Sequence, residues 1–205
     1  SYCAKLRIVL RNKNIIFNEL LPPGGYGSNE YRKIVPSGNL PAMIHGDFML
    51  SDSESIAEYL DEFFPSVAMM PNTIKLRAKA REFSRSHDTR LEPAVRRLYP
   101  EVEFSTRNIE NVELIGSEIS KQLAALALLL SKNPLDTDKL WICDCGFAVT
   151  FAWIKAFENS LGLIVDWPDE VKQYDLRLLG FKVVSDELSA YLPAMNKYLE
   201  KALPV

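Results

Sequence analysis

The stretch GFAVTFAWIKAFENSL, residues 146–161, is apolar on nearly every side when wound as a helix. Such a helix has no face to offer water, so other helices must enclose it. The sequence supplies them. TIKLRAKAREFSRSHDTRLEPAVRRLY, IENVELIGSEISKQLAALALLLSK, PDEVKQYDLRLL and SDELSAYLPAMNKYLEKAL all repeat apolar residues at helical spacing. Pro93 predicts a kink in the first of these. The pattern predicts an all-helical domain over residues 73–205, with 146–161 at its centre.

Residues 1–66 read differently, as a small α/β domain. CAKLRIVLRNK places Leu6, Val9 and Leu10 on one helical face, with Lys5, Arg7 and Arg11 elsewhere. IIFNEL is short, β-branched and aromatic, and predicts a strand. LPPGGYGSNEY is loop. LPAMI and FMLS flank His45-Gly46-Asp47 as a hairpin, and ESIAEYLDEFF carries Ile56, Tyr59, Leu60 and Phe63 along one side of a helix. PSVAMMPN, residues 65–72, is a linker framed by prolines.

Composition narrows the class of function. The 205 residues are 47 % hydrophobic and 25 % charged, with 24 basic and 27 acidic side chains and a net charge of -3. No basic stripe points to nucleic acid, and no polybasic cluster points to a membrane surface. The longest apolar run, in KQLAALALLLSKN, is too short for a membrane span. Three cysteines and two histidines are too few for a disulfide framework, so a reducing cytoplasm is the expected location.

The stretch SGNLPAMIHGDFMLSDSESIAEYL, residues 37–60, joins two features. Pro41 opens a strand, where a proline costs no ladder donor. With a cis bond to Leu40, the neighbouring backbone can face outward and pair with an extended peptide. Taken alone, a trans proline closing the Ser37-Gly38-Asn39 turn is the commoner case. Ser53-Glu54-Ser55 opens a helix, whose unpaired N–H groups and partial positive charge receive a carboxylate, while the glutamate offers a charge to an ammonium. Plain capping by Ser51 with Glu54, or by Asp52 or Ser53, explains the same residues without a ligand. Together, one hairpin apart, they describe a groove for a peptide with a free α-amino-acid end, such as the γ-glutamyl tripeptide glutathione.

These residues carry a family resemblance. PSGNLPAM is similar to the Pro-x-Gly-x-[Val/Leu]-Pro-x-[Leu/Met] run of glutathione S-transferases. SESIAEYLDEFFP resembles their [Glu/Gln]-Ser-x-Ala-Ile-x-x-Tyr-Leu-x-x-x-[Phe/Tyr]-Pro helix, LRAKARE their Arg-Ala-x-x-Arg start of the helical domain, and YLPAMNKYLEKAL their final helix. The resemblance implies a thioredoxin-like N-terminal domain followed by an all-helical domain, a homodimer, glutathione as co-substrate and no metal. It implies that Glu54 and Ser55 hold the γ-glutamyl group. It also implies that Leu40 pairs its backbone with the cysteinyl residue and that Pro41 is cis.

Members of the family place Ser, Tyr or Cys at the start of the first helix, where it favours the thiolate of glutathione. SYCAKLRIVL resembles the serine-type start, Ser-[Pro/Ser]-x-x-x-[Lys/Arg]-[Val/Leu]-Arg-Ile. Aligned on Lys5-Leu6-Arg7, the activating residue falls just before Ser1; shifted by one, it is Ser1 itself. We therefore expect residues upstream of Ser1, including the family's first strand. Cys3 is the rival nucleophile, and also a plain packing residue. The zeta class begins this helix with Ser-Ser-Cys, a run absent here.

Arg81, Arg85, His87 and Asp88 on the basic helix are candidates to face the co-substrate cleft, against a reading as solvated charges paired with Glu and Asp. Tyr26 and Tyr31 are candidates to border it. Cys143-Asp144-Cys145 has no metal or redox spacing and reads as packing. The family's local capping box, [Ser/Thr]-x-x-Asp, is here Trp141-Ile142-Cys143-Asp144, so a substitute for the missing hydroxyl is expected.

The functional expectation is a glutathione-dependent enzyme of detoxification type, whose thiolate attacks an electrophile by conjugation, dehalogenation or an addition that permits cis-trans isomerisation. The alternatives are a non-catalytic interaction module on the same fold and a thiol transferase using Cys3.

Overall fold

The computed structural model describes residues 1–203. The chain runs α1 (Tyr2–Asn12), α2 (Asn29–Arg32), β1 (Ala42–His45), β2 (Phe48–Ser51), α3 (Ser53–Phe63) and α4 (Ile74–Ser86). A π-helical turn (His87–Leu91) leads into α5 (Glu92–Arg96), followed by α6 (Ile109–Leu130), α7 (Phe147–Leu161), α8 (Asp169–Leu179) and α9 (Lys182–Leu199). A thioredoxin-like N-terminal part is followed by an all-helical part, as expected.

Helix α7 is the buried centre. Phe147, Val149, Phe151, Ile154 and Phe157 are all but inaccessible. Its aromatic rings pack edge-on against neighbours, with Tyr99–Trp153 centroids 5.0 Å apart and Phe151–Trp167 5.6 Å apart. The start of this segment is closed without a hydroxyl cap. Asp144 Oδ2 accepts the Trp141 N–H at 2.9 Å, and the Trp141 carbonyl accepts the Asp144 N–H at 3.0 Å. Asp144 Oδ1 takes the Tyr174 O–H at 2.7 Å and Arg177 Nη2 at 2.8 Å. A backbone carbonyl thus replaces the absent Ser or Thr.

Pro93 marks the kink in the way its chemistry requires. It has no N–H for the carbonyl one turn back, and the helix widens into the π turn immediately before α5. That widening turns His87, Leu91 and Glu92 into the interior.

In the N-terminal part the hairpin forms as predicted, with His45 paired to Phe48 across Gly46-Asp47 and φ of +64° at Gly46. The IIFNEL segment is not a strand. Ile16 is 99 % exposed, and among the described residues the sheet consists only of β1 and β2. A β-favouring composition makes a strand only beside a partner ladder, and none flanks this segment. The proline-framed connection after α3 is pinned by buried charge: Lys13 Nζ donates to Asp61 at 2.8 Å, and Asp61 accepts the N–H groups of Met69 and Met70 at 2.7 and 3.0 Å.

Candidate functional site

The starts of α1 and α3 lie side by side, with the turn before β1 leading into the same region. The Leu40–Pro41 peptide bond is cis. Tyr31, buried, donates its O–H to the Asn39 carbonyl at 3.0 Å and so fixes the residue before Leu40. The N–H and C=O of Leu40 have no partner among the described residues. Tyr26 is exposed and donates its O–H to the side-chain oxygen of Asn39 at 3.4 Å.

At the start of α3 the cap is Asp52, in a left-handed conformation with φ of +89°. A non-glycine residue adopts this region at a cost, which makes it a marker worth following. Asp52 Oδ1 accepts the N–H groups of Glu54 and Ser55 at 3.1 and 3.0 Å. The N–H of Ser55 is therefore taken, and its side chain is exposed. Ser53 is different. It is 5 % exposed, and neither its hydroxyl nor its N–H has a partner among the described residues. Ser53 therefore keeps both its N–H and its hydroxyl open, whereas the expected Ser55 keeps only an exposed hydroxyl. Two acid–serine pairs, Asp52-Ser53 and Glu54-Ser55, stand in tandem here. Only the pattern's spacing separates them, since its serine lies six residues before the tyrosine, and Ser53 stands in that relation to Tyr59.

Glu54 points to the interior. Its Oε2 accepts Lys5 Nζ at 2.5 Å, while Oε1 has no partner among the described residues. Lys5, which the periodicity places off the Leu6/Val9/Leu10 face of α1, is 1 % exposed. It also donates to Asp88 Oδ2 at 2.8 Å. Asp88 Oδ1 lies 2.6 Å from His87 Nδ1, and His87 Nε2 lies 2.8 Å from Thr150 Oγ1. With Nδ1–H donating to the carboxylate, Nε2 accepts the threonine proton. Gly146 makes room for this ring, because a Cβ there would stand 2.5 Å from His87 Cε1. Burial works to lower the Lys5 ammonium, but Asp88 and Glu54 outweigh it and hold it above its ordinary value. Burial likewise works to raise Asp88, yet the bonds from His87 and Lys5 bring it down to about 2.

At the start of α1 the candidate nucleophiles are engaged or protonated. Ser1 donates its hydroxyl proton to Glu92 Oε1 at 2.6 Å, so that proton is not free for a thiolate. Glu92 is buried and also receives Arg96 Nη2 at 2.5 Å. Tyr2 donates its O–H to the Asp88 carbonyl at 3.0 Å. Cys3 is a half-buried free cysteine whose thiol is pushed up by burial, which disfavours the reactive thiolate.

Of the four residues expected at the co-substrate cleft, His87 and Asp88 lie in the Lys5 network and the two arginines stand apart from it. Arg81 makes a two-pronged bond to Glu58, 2.7 Å on each arm, on the surface. Arg85 is exposed. Asp88 belongs to the Lys5 network. Cys143 and Cys145 are buried and free, their thiols raised well above ordinary values by burial. Among the described residues no three His, Cys, Asp or Glu side chains form a metal site, and no helix is long and apolar enough to cross a membrane.

A thioredoxin-like part with an unpaired backbone beside a cis-proline, a helix end with free donors and a helical second part define the glutathione-transferase type of fold. The comparisons agree. Residues 1–68 match the family model described as glutathione S-transferase, N-terminal domain. A stringent starvation protein A homolog from Histophilus somni is 28 % identical over 133 residues, covering 64 % of this chain and 59 % of that protein. Glutathione S-transferase Z1 of Arabidopsis thaliana is 34 % identical over 82 residues, covering 38 % of this chain and 37 % of that protein. These matches therefore span between a third and three fifths of the curated relatives. In fold, the chain is similar to a maleylacetoacetate isomerase from Methylobacterium extorquens, solved with bound malonate and glutathione. The TM-score is 0.74 at 20 % identity, over 91 % of each chain. Residues 1–68 thus match the glutathione S-transferase N-terminal domain family, and the chain as a whole has the glutathione-transferase fold.

Proposed function

We propose that this protein binds glutathione in the groove between α1 and α3 and uses its thiolate against an electrophile. The observation that carries the reading is the pair of unpartnered donors on buried Ser53, at a helix start where the other first-turn N–H groups are capped. A carboxylate is the ligand such a position suits. In this reading the γ-glutamyl carboxylate takes the Ser53 N–H and hydroxyl. The γ-glutamyl ammonium faces the free Oε1 of Glu54 and the carboxylate of Asp52. The cysteinyl main chain pairs with Leu40, and the sulfur points to the start of α1.

There the chemistry is simple. The thiol gives up its proton to solvent water, and the thiolate forms a carbon–sulfur bond to the electrophile. In conjugation or dehalogenation a halide leaves with the bonding electrons. In an isomerisation the adduct rotates and expels the thiolate again. The positive end of α1 stabilises the thiolate, since no side chain caps that helix. We place the protein in the cytoplasm as a homodimer, with the exposed Ile44, Phe48 and Phe63 as the face a second copy covers.

The likeness to stringent starvation protein A homologs favours one other reading, an interaction module that binds without turnover. The full chain on immobilised glutathione separates the two. Retention, elution by free glutathione and turnover of 1-chloro-2,4-dinitrobenzene support the enzyme. Retention without turnover supports the module, and no retention overturns both uses of the groove. Replacement of Cys3 by Ser addresses thiol transfer. Disulfide reductase activity that vanishes in that variant would make Cys3 the nucleophile, contrary to the protonated thiol described above.

A further inference from the structure

We propose that Lys5 is a positioning residue of the glutathione site, bracing the first turn of α1 against the first turn of α3. The inference rests on the glutathione reading above. The ammonium lies at 1 % exposure, so it is not a surface charge that folded inward by chance of rotamer. A buried ammonium is unfavourable unless it is well paired, and an apolar side chain would fill the same volume more cheaply. Lys5 is paired twice, to Glu54 at 2.5 Å and to Asp88 at 2.8 Å.

Each partner has a distinct use. Glu54 stands next to Ser53 and spends only one carboxylate oxygen on Lys5, leaving Oε1 for a ligand. Asp88 spends its second oxygen on His87, which is held in turn by Thr150 of the central helix α7. The brace is therefore anchored in the most buried element of the molecule and ends on the carboxylate beside the open donors. Lys5 sits in the first turn of α1, so the same side chain fixes the spacing between the sulfur end and the γ-glutamyl end of the groove. Without the ammonium, the part-buried carboxylates of Glu54 and Asp88 face one another, and their repulsion turns Glu54 away from its place beside the open donors.

The test is glutathione affinity by calorimetry on the full chain, with folding checked by circular dichroism. Lys5→Met should weaken glutathione about tenfold, the loss expected for one charge-assisted bond. It should raise the KM for glutathione and leave the KM for 1-chloro-2,4-dinitrobenzene unchanged. Lys5→Arg should recover affinity to within about threefold of wild type. Lys5→Met/Glu54→Gln should lose less than the sum of the two single losses, because the Lys5–Glu54 contact is counted in both. Wild-type affinity in folded Lys5→Met, or strictly additive losses in the double variant, overturns the proposal while leaving the glutathione reading intact. If Lys5→Met does not fold, Asp88→Asn decides. A loss of affinity supports the brace and an unchanged affinity overturns it. A wild-type protein that gives no heat with glutathione defeats the underlying reading as well.

Discussion

Asp144 and Asp52 each stand just ahead of a helix, and the two aspartates differ in how fully they are used. Asp144, ahead of α7, is 3 % exposed and receives bonds from Trp141, Tyr174 and Arg177. Nothing is left over, and the segment is closed to any ligand. Asp52, ahead of α3, is exposed, sits at a positive φ and closes the N–H groups of Glu54 and Ser55 only. Ser53 keeps both its donors. The same chemistry serves stability where every group is paired, and marks a site where one buried residue is left without partners.

That contrast breaks first at its closed end. Asp144→Ala leaves Arg177 and Tyr174 facing an empty interior, and should cost about 4 kcal/mol of stability. A lower urea midpoint with an unchanged slope would show it. If the loss is under about 1 kcal/mol, the network is not what holds α7.

The next effect is acid sensitivity of the Lys5 network. The Asp88 carboxyl is lower when folded, about 2 against an ordinary 3.8, so it adds stability above pH 3.8 that is lost as pH falls toward 2. The stability gap between wild type and Asp88→Asn should therefore narrow by about 2 kcal/mol between pH 5 and pH 2. A gap that stays constant over this window contradicts the pairing.

The open end predicts a change in binding rather than in folding. Ser53→Ala should weaken glutathione about tenfold while stability changes by less than about 0.5 kcal/mol, since no internal bond is lost. The smallest effect belongs to the surface. Arg81→Ala breaks the exposed pair with Glu58 and should cost about 0.5 kcal/mol, with glutathione turnover unchanged. A turnover defect there would restore Arg81 to the cleft.

The sequence carried the architecture because its strongest signals are physical and local. The apolar girth of 146–161 demanded burial, Pro93 demanded a break in the helix, and Gly46-Asp47 demanded a turn. The failures share a cause of their own, which is that periodicity does not show partners. IIFNEL has the composition of a strand, but composition does not say whether a ladder lies beside it. Lys5 was given no role because its two carboxylates lie 49 and 83 residues away in sequence. The groove was legible as a region, from Leu40-Pro41 and the acid–serine start of α3. Its open serine was missed, because two acid–serine pairs stand in tandem and only the six-residue spacing to Tyr59 tells them apart.

The most direct measurement follows the backbone amides of Ser53 and Asp144 by nuclear magnetic resonance while glutathione is titrated into the full chain. The account predicts that the Ser53 amide shifts and saturates with the ligand, while the Asp144 amide, already bonded to Trp141, stays in place. A Ser53 amide that does not move at glutathione concentrations that saturate binding elsewhere in the protein would contradict it.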